Sequence, residues 1–195
     1  MSITIRPGEP DDATEAAPLI FSAAQGILTA IFGADDATKA LTFLQHAWRL
    51  KGGQYGCSSH WVAVQDERIV GVVTAWHVAL GAAFDRATLD SITSFFSLDE
   101  AVQVLMRNQV LAVELAPPTK TQFMLGHLAV AAHSRRMGVG SMLIDNMRTQ
   151  AKSMNKQSIV LDVELTNTAA IRFYQALAFS EDTLTKKFVR FIQPL

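Results

Sequence analysis

Residues 2–6 alternate polar and apolar positions and stop at Pro7, the period-two pattern of a strand. After Asp11-Asp12 the period lengthens. Apolar residues recur at three- and four-residue spacing over 13–32, which predicts one helix ended by Gly33; Asp35-Asp36 opens a second, running to about Leu50 before Gly52-Gly53. Residues 60–65 and 69–76 read as strands on either side of polar Asp66-Glu67-Arg68, an antiparallel hairpin. The pattern then turns helical from 78 to about 115. Leu89, Ile92, Phe95 and Phe96 belong to one piece and Val102, Val104, Leu105 and Met106 to the next, with a break at Leu98-Asp99 and an end at Pro117-Pro118.

Residues 121–130 read as a strand, 133–140 as a loop, and 141 to about 152 as a helix with Met142, Leu143 and Met147 inward. A strand over 158–165 follows, then Thr166-Asn167 caps a helix to about Leu177, and 184–192 alternates as a last strand. The order β, two helices, β-hairpin, helical insert, β, α, β, α, β predicts one mixed α/β (α+β) domain over 1–195, with helices on a central sheet.

Composition narrows what such a domain does. A chain 49% hydrophobic and 18% charged has the apolar surface to order itself, which excludes disorder. Lys plus Arg number 17 against 18 Asp plus Glu, so a net charge of −1 gives no reason to expect nucleic acid or an anionic membrane as partner. No stretch reaches the roughly 18–20 apolar residues of a bilayer span, and the opening residues lack the basic start and apolar run of a secretory signal. The single cysteine, Cys57, excludes an internal disulfide, and a cytoplasmic location is expected. His46, His60 and His133 lack metal-ligand spacing, so no metal is expected.

Chemistry is concentrated in two stretches. In Leu128-Ala-Val-Ala-Ala-His-Ser-Arg-Arg-Met-Gly-Val-Gly-Ser, a strand runs into a loop with Arg135, Arg136, Gly138 and Gly140, and a helix starts beyond. Uncovered amides, a helix N-terminus and two arginines together suit a phosphate. The same glycines also serve tight packing, and the residues alone leave both readings standing. No Gly-Lys-Ser/Thr follows, so this is not a P-loop. In the second stretch, Asn167 at a strand-to-helix junction is also a natural N-cap, and Phe173 and Tyr174 are also natural core residues. Asn167 and Tyr174 lie two turns apart, which puts both on one helix face.

Arg135-Arg-Met-Gly138-Val-Gly140 after Leu128-Ala-Val130, followed by Asn167-x-x-Ala170-x-x-Phe173-Tyr174-x-x-x-Ala178-Phe179, resembles the GNAT superfamily of acetyl-CoA-dependent N-acetyltransferases. The strong match covers roughly residues 123–179. The resemblance implies a mixed, mostly antiparallel twisted sheet with splayed central strands flanked by helices, plus a helical insert at about 78–116. It implies acetyl-CoA as cofactor. The backbone of Leu128, Ala129 and Val130 would hold the pantetheine arm, and the amides of Arg136, Met137, Gly138, Val139, Gly140 and Ser141 the pyrophosphate. Arg135 or Arg136 would add charge, while Asn167 and Phe173 would contact the cofactor. Tyr174 would act on the departing thiolate as an amine attacks the thioester directly in a ternary complex.

Departures from the family pattern shape the remaining expectations. Counting by twos from Val130 gives Leu128, Gly126 and Met124, none of which titrates, where many members carry a base. His127 has the opposite parity, and a structural or surface role is expected for it unless a bulge at Gly126 turns it inward. Glu164 and His77 are the other candidates for a base acting through water. Ala178 stands where the family usually has glycine, at a cost of roughly 1 kcal/mol if the backbone there is left-handed. Cys57 has no evident histidine partner and is expected to be an ordinary thiol. The insert, with Phe95 and Phe96, is expected either to wall an acceptor pocket alongside Phe32 and Trp48 or to build extra core or a dimer contact. The resemblance implies a small-molecule or peptide amine as acceptor and allows a homodimer, and the rival reading is a noncatalytic acyl-CoA-binding sensor or interaction module.

Overall fold

The computed structural model describes residues 2–195. Seven strands form one sheet: β1 (Thr4–Pro7), β2 (His60–Gln65), β3 (Arg68–Trp76), β4 (Gln122–Val130), β5 (Ser158–Glu164), β6 (Ser180–Leu184) and β7 (Phe188–Pro194), in the order β1-β2-β3-β4-β5-β7-β6. Only β4 and β5 pair in parallel; the other neighbours are antiparallel. The parallel pairing is short. It joins Gln122–Leu125 to Ser158–Leu161, after which β4 continues to Val130 and β5 to Glu164 without a common ladder. The sheet is thus split down its middle on the side where the two strands end.

Helices cover both faces. On one lie α1 (Ala13–Ala23) and α3 (Ala37–Arg49), whose Ala13, Ala16, Ala17, Ile20, Phe43 and Leu44 close a core over Val62, Val72 and Ala129. On the other, α6 (Val139–Ser153) and α7 (Thr168–Ala176) cover Val73, Phe123, Leu125, Leu161, Val163 and Phe191. Local chemistry explains several boundaries. Asp36 accepts the N–H groups of Thr38 and Lys39 at 2.9 and 3.1 Å to start α3, and Asp66 and Glu67, both at positive φ, make the tight turn between β2 and β3. Gly71 lets α6 sit directly on β3: a Cβ there would come within 2.9 Å of Val139 Cγ1.

The structure departs from the periodicity in four places. The helix expected over 13–32 is broken at Ala24 (φ −147°, ψ 44°), and its pieces, α1 and α2 (Gln25–Leu28) with a following π-turn over Thr29–Gly33, are bent by 104°. One straight rod could not lay Ile20 on the sheet and also bury Leu28, Ile31 and Phe32 among the residues of α3. The final strand is two: β6 and β7 form a hairpin turning at 185–187, where Thr185 Oγ1 accepts the N–H of Phe188 at 3.0 Å. Met142, expected inward, is exposed, while Leu143 and Met147 are fully buried. In the insert, α4 (Gly81–Thr93) and α5 (Leu98–Ala112) form as expected, but α5 buries Ala101 and Val104 and leaves Val102, Leu105 and Met106 at the surface.

The insert is fastened at both ends. Gln54 N–H donates to Thr88 Oγ1 at 2.9 Å, and Gly53 lies so close to α4 that a Cβ would stand 2.5 Å from Thr88 N. At the far end, Glu114 Oε2 accepts from Thr185 Oγ1 and Lys187 N, each at 3.0 Å.

Candidate active site

At the mouth of the split, the chain leaves β4, makes a short 3₁₀ turn over Ala132–Ser134, and enters α6 through Arg136 (φ +61°) and Gly138 (φ +82°). Gly138 offers no side-chain cap, so the first turn of α6 keeps its orphan amides. Among the described residues no acceptor meets any of the six consecutive N–H groups from Arg136 to Ser141. Six unmet donors at a helix N-terminus, aided by two left-handed residues, form a nest for an anion. Val139 and Gly140 are buried here, while Arg135, Arg136 and Met137 are exposed; Arg135 Nε–H is held by Val130 O at 3.2 Å. Val130 and Arg135 also open onto a cleft of about 570 Å³ under α1.

The backbone of β4 supplies a second set of groups. Ala131 N–H donates to Val70 O, so the alternation of an antiparallel ladder turns Ala129 toward β3 as well and turns Leu128 and Val130 toward the split. Ala129 therefore drops out of the expected cofactor set: its backbone pairs with Val72 and its side chain lies in the core under α1. Leu128 and Phe173 meet at Gly140, where a Cβ would stand 3.0 Å from Phe173 Cζ and 3.8 Å from Leu128 Cδ2. The structure thus brings Leu128, Gly140 and Phe173 together.

His127 is where the parity count fails. Thr74 pairs with Gly126 but Val72 pairs with Ala129, so β4 holds one extra residue, and His127 takes φ +44° to absorb it. Before this bulge, Phe123 and Leu125 face α6 and α7; after it, Leu128 and Val130 do. Gly126 and Met124 consequently do not share the face of Val130. His127 points to the other face, half-buried, with Nδ1 at 3.2 Å from Thr74 Oγ1 and its ring 5.8 Å from that of Tyr55. Burial pushes its pKa down to about 4, so the ring is neutral at ordinary pH. Its Nε2 carries no hydrogen bond to a described residue. His60, across Thr74 on β2, is fully buried; it is bonded through Nδ1 to Gly56 O at 2.8 Å and pushed down to about 3 by burial.

Tyr174 lies across the sheet from His127. It is buried, its ring packed against Phe173, Phe179 and Phe191, and burial raises its pKa, which keeps the hydroxyl protonated. Asn167 is exposed and caps α7, with Oδ1 accepting Ala170 N–H at 3.1 Å and its amide nitrogen left to donate. Asn167 turns its carbonyl oxygen back on the helix end, and two turns on the ring of Tyr174 enters the core. Glu164 is exposed at the end of β5, opposite Phe188. His77 packs on Phe123 on the α6 face with Lys156 nearby, away from His127. Trp48, expected near an acceptor, is fully buried against His60 and donates to Glu9 O, whereas Phe32, Phe95 and Phe96 pack with Phe43. Cys57 is buried, and burial raises its thiol pKa.

Thr74 and Tyr55 went unnoticed in the sequence. Tyr55 sits in a glycine-flanked turn, Gly52 to Gly56, and that turn was the available signal. Trp76 completes this face by covering Gly126, whose Cβ would meet the indole at 3.0 Å.

Such a layout suits a ligand with an anionic head and an extended arm: the nest takes the head, and the split between β4 and β5 exposes strand edges that the arm can pair with. Fold and site together define an α/β protein with a split sheet, an anion nest at its mouth, and a neutral histidine and a protonated tyrosine on opposite faces. The chain belongs to the GNAT acetyltransferase family, whose sequence model matches residues 27–179 and whose members use acetyl-CoA. It is 27% identical over 116 residues to the catalytic subunit naa20 of the N-terminal acetyltransferase B complex of Schizosaccharomyces pombe, a match covering 50% of this chain and 64% of that protein. The chain therefore spans less than two thirds of that relative's length. Among solved structures, an N-acetyltransferase from Staphylococcus aureus Mu50 superposes with a TM-score of 0.74 at 14% identity, over 97% of this chain and all (100%) of that one. The paia N-acetyltransferase from Thermoplasma acidophilum, in complex with coenzyme A, superposes with a TM-score of 0.59 at 10% identity, over 100% of both chains.

Proposed function

We propose that this protein transfers the acetyl group of acetyl-CoA to a primary amine by direct attack. The observation that carries this is the run of six unbonded amides, Arg136 to Ser141, at the mouth of a split sheet. The nest suits the diphosphate, and the gap-facing N–H groups of Leu128 and Val130 suit the amide-rich arm. Bound acetyl-CoA supplies an activated thioester. Phe173 and Leu128 wall its slot over Gly140, and the free amide of Asn167 donates from the start of α7.

His127 and Tyr174 divide the proton traffic. With Nδ1 held at Thr74, His127 Nε2 takes the proton shed by the attacking amine; its low pKa keeps the lone pair free. Tyr174, held protonated by burial, supplies a proton to the departing thiolate. Glu164, exposed to solvent, receives protons from His127 through water. The name of the yeast relative, an N-terminal acetyltransferase, supports a polypeptide α-amine as the acceptor.

The test is thiol release from acetyl-CoA across a panel of peptides and small amines. Tyr174→Phe is expected to slow turnover by about 100-fold while leaving acetyl-CoA affinity unchanged. An unaltered rate removes Tyr174 from the chemistry, and silence across the panel with tight acetyl-CoA binding identifies a sensor.

A further inference from the structure

On the face of the sheet that carries His127, the end of the insert closes over β5 and β7. It leaves a cavity of about 380 Å³ whose polar lining is Glu114, Asp162, Thr183, Thr185 and Arg190. Asp162 is the first β5 residue beyond the last β4–β5 pair, so this cavity adjoins the split. Arg190 and Asp162 form an ion pair with side chains 9% and 10% exposed. Arg190 Nε–H donates to Asp162 Oδ1 at 2.8 Å, and Nη2 donates to Asp162 Oδ2 at 2.7 Å and to Ala116 O.

A guanidinium carries five donors, and these hydrogen bonds use only those on Nε and Nη2. Among the described residues, Nη1 of Arg190 finds no acceptor, although the side chain lines the cavity and is nine-tenths buried. Nη1 is nevertheless not a buried atom: it keeps an opening to the cavity, so what it lacks there is an oxygen to receive its hydrogen bonds. Glu114 lacks the converse: its Oε2 accepts two hydrogen bonds, while its Oε1 receives none.

Charge selects the oxygen. Asp162 already neutralises Arg190, and Glu114 leaves the lining with an excess negative charge. A carboxylate entering here would face two carboxylates and one guanidinium. A peptide group offers a neutral carbonyl to Nη1 and an N–H to Glu114, and so satisfies both. We propose that this cavity is the acceptor subsite for the first peptide group of a polypeptide, its C=O on Arg190 Nη1 and its N–H on Glu114 Oε1, and that the protein thereby prefers peptides to free amino acids.

The proposal rests on the acetyl-transfer reading for its purpose, but its test is binding and needs no turnover. Protein saturated with CoA is titrated calorimetrically with mixed-sequence tetrapeptide amides and, separately, with a mixture of free amino acids. The peptides are expected to bind at least about tenfold more tightly. Arg190→Lys, which keeps the charge beside Asp162 but removes Nη1, is expected to weaken peptide binding about tenfold with CoA affinity retained. Glu114→Gln, which does not depend on the buried pair, is expected to narrow the preference by relieving the repulsion of a carboxylate.

Equal binding of the two probe classes overturns the subsite, as does no peptide binding at all. A preference unchanged in Glu114→Gln, or peptide binding unchanged in a folded Arg190→Lys, does so too. Peptide binding that depends on Arg190, without thiol release, overturns acetyl transfer and leaves the subsite standing. Acetylation of free amino acids as fast as peptides does the reverse.

Discussion

Gly138→Glu tests the anion nest most directly. A Cβ at Gly138 meets nothing within 4 Å, so the new side chain has room and the fold is not broken by a clash. Two effects remain. The backbone sits at φ +82°, which costs any L-residue about 1 kcal/mol of stability. The added carboxylate lies beside the amides of Arg136 to Ser141, so a diphosphate bound there would feel a like charge about 5–6 Å away. At an effective dielectric constant of about 20 that repulsion is about 3 kcal/mol, or roughly 100-fold in affinity. Gly138→Ala carries the backbone cost without the charge and separates the two effects. Calorimetry should show acetyl-CoA binding roughly 100-fold weaker for Gly138→Glu than for Gly138→Ala, with the gap shrinking as salt is raised. Acetyl-pantetheine, which has no diphosphate, should bind the two variants alike. Equal acetyl-CoA affinity in the two variants would refute the nest.

Gly71→Ala should destabilise by about 1–3 kcal/mol, a fall of roughly 2–4 °C in Tm per kcal/mol, because α6 must retreat from a Cβ within 2.9 Å of Val139 and 3.1 Å of Leu143. Ala178→Gly should raise Tm by a few degrees, since Ala178 sits at φ +63° and glycine relieves about 1 kcal/mol there; turnover should not change. Stability should fall as the solution is acidified from about pH 6.5. His60 and His127 have folded pKa values of about 3 and about 4, below the unfolded value of 6.5, so the unfolded chain binds more protons in that window. For the fully buried His60 the loss is a few kcal/mol, on the order of 1.4 kcal/mol per pH unit crossed. The urea midpoint at pH 7 and at pH 4.5 measures it, and His60→Phe should shrink the difference between the two; an undiminished difference would clear His60 of the effect.

Much of the fold was legible because single residues punctuate it. Asp36, the Asp66-Glu67 pair and Gly138 each solve a local backbone problem, and each marks an element boundary within a residue or two of where the chain turns. The nest was legible for the same reason, being built from consecutive amides rather than from distant partners. What lay beyond the sequence depends on tertiary choice. The bend at Ala24 follows from the need to bury Ile20 and Phe32 against different surfaces. The outward turn of Val102 and Met106 follows from which face of α5 meets the rest of the domain. Arg190 and Asp162 sit 28 residues apart on strands β7 and β5, and no local pattern joins them.

His127 marks the boundary between the two kinds of information. Strand periodicity is reliable only while the count of residues on neighbouring strands stays equal, and one extra residue reverses every inference beyond it. Under the proposed mechanism the reversal has a chemical consequence. Without the bulge, the register that puts Leu125 against α6 would send His127 to the same side as Tyr174, and Leu128 and Val130 would not both face that side. With it, the histidine is delivered to Thr74 on one face, the tyrosine stays on the other, and the strand edge between them is left unpaired toward β5. Removing the extra residue would therefore be expected to abolish turnover by exchanging the faces of the base and its neighbours, while the nest beyond Val130, built by its own loop, went on binding acetyl-CoA.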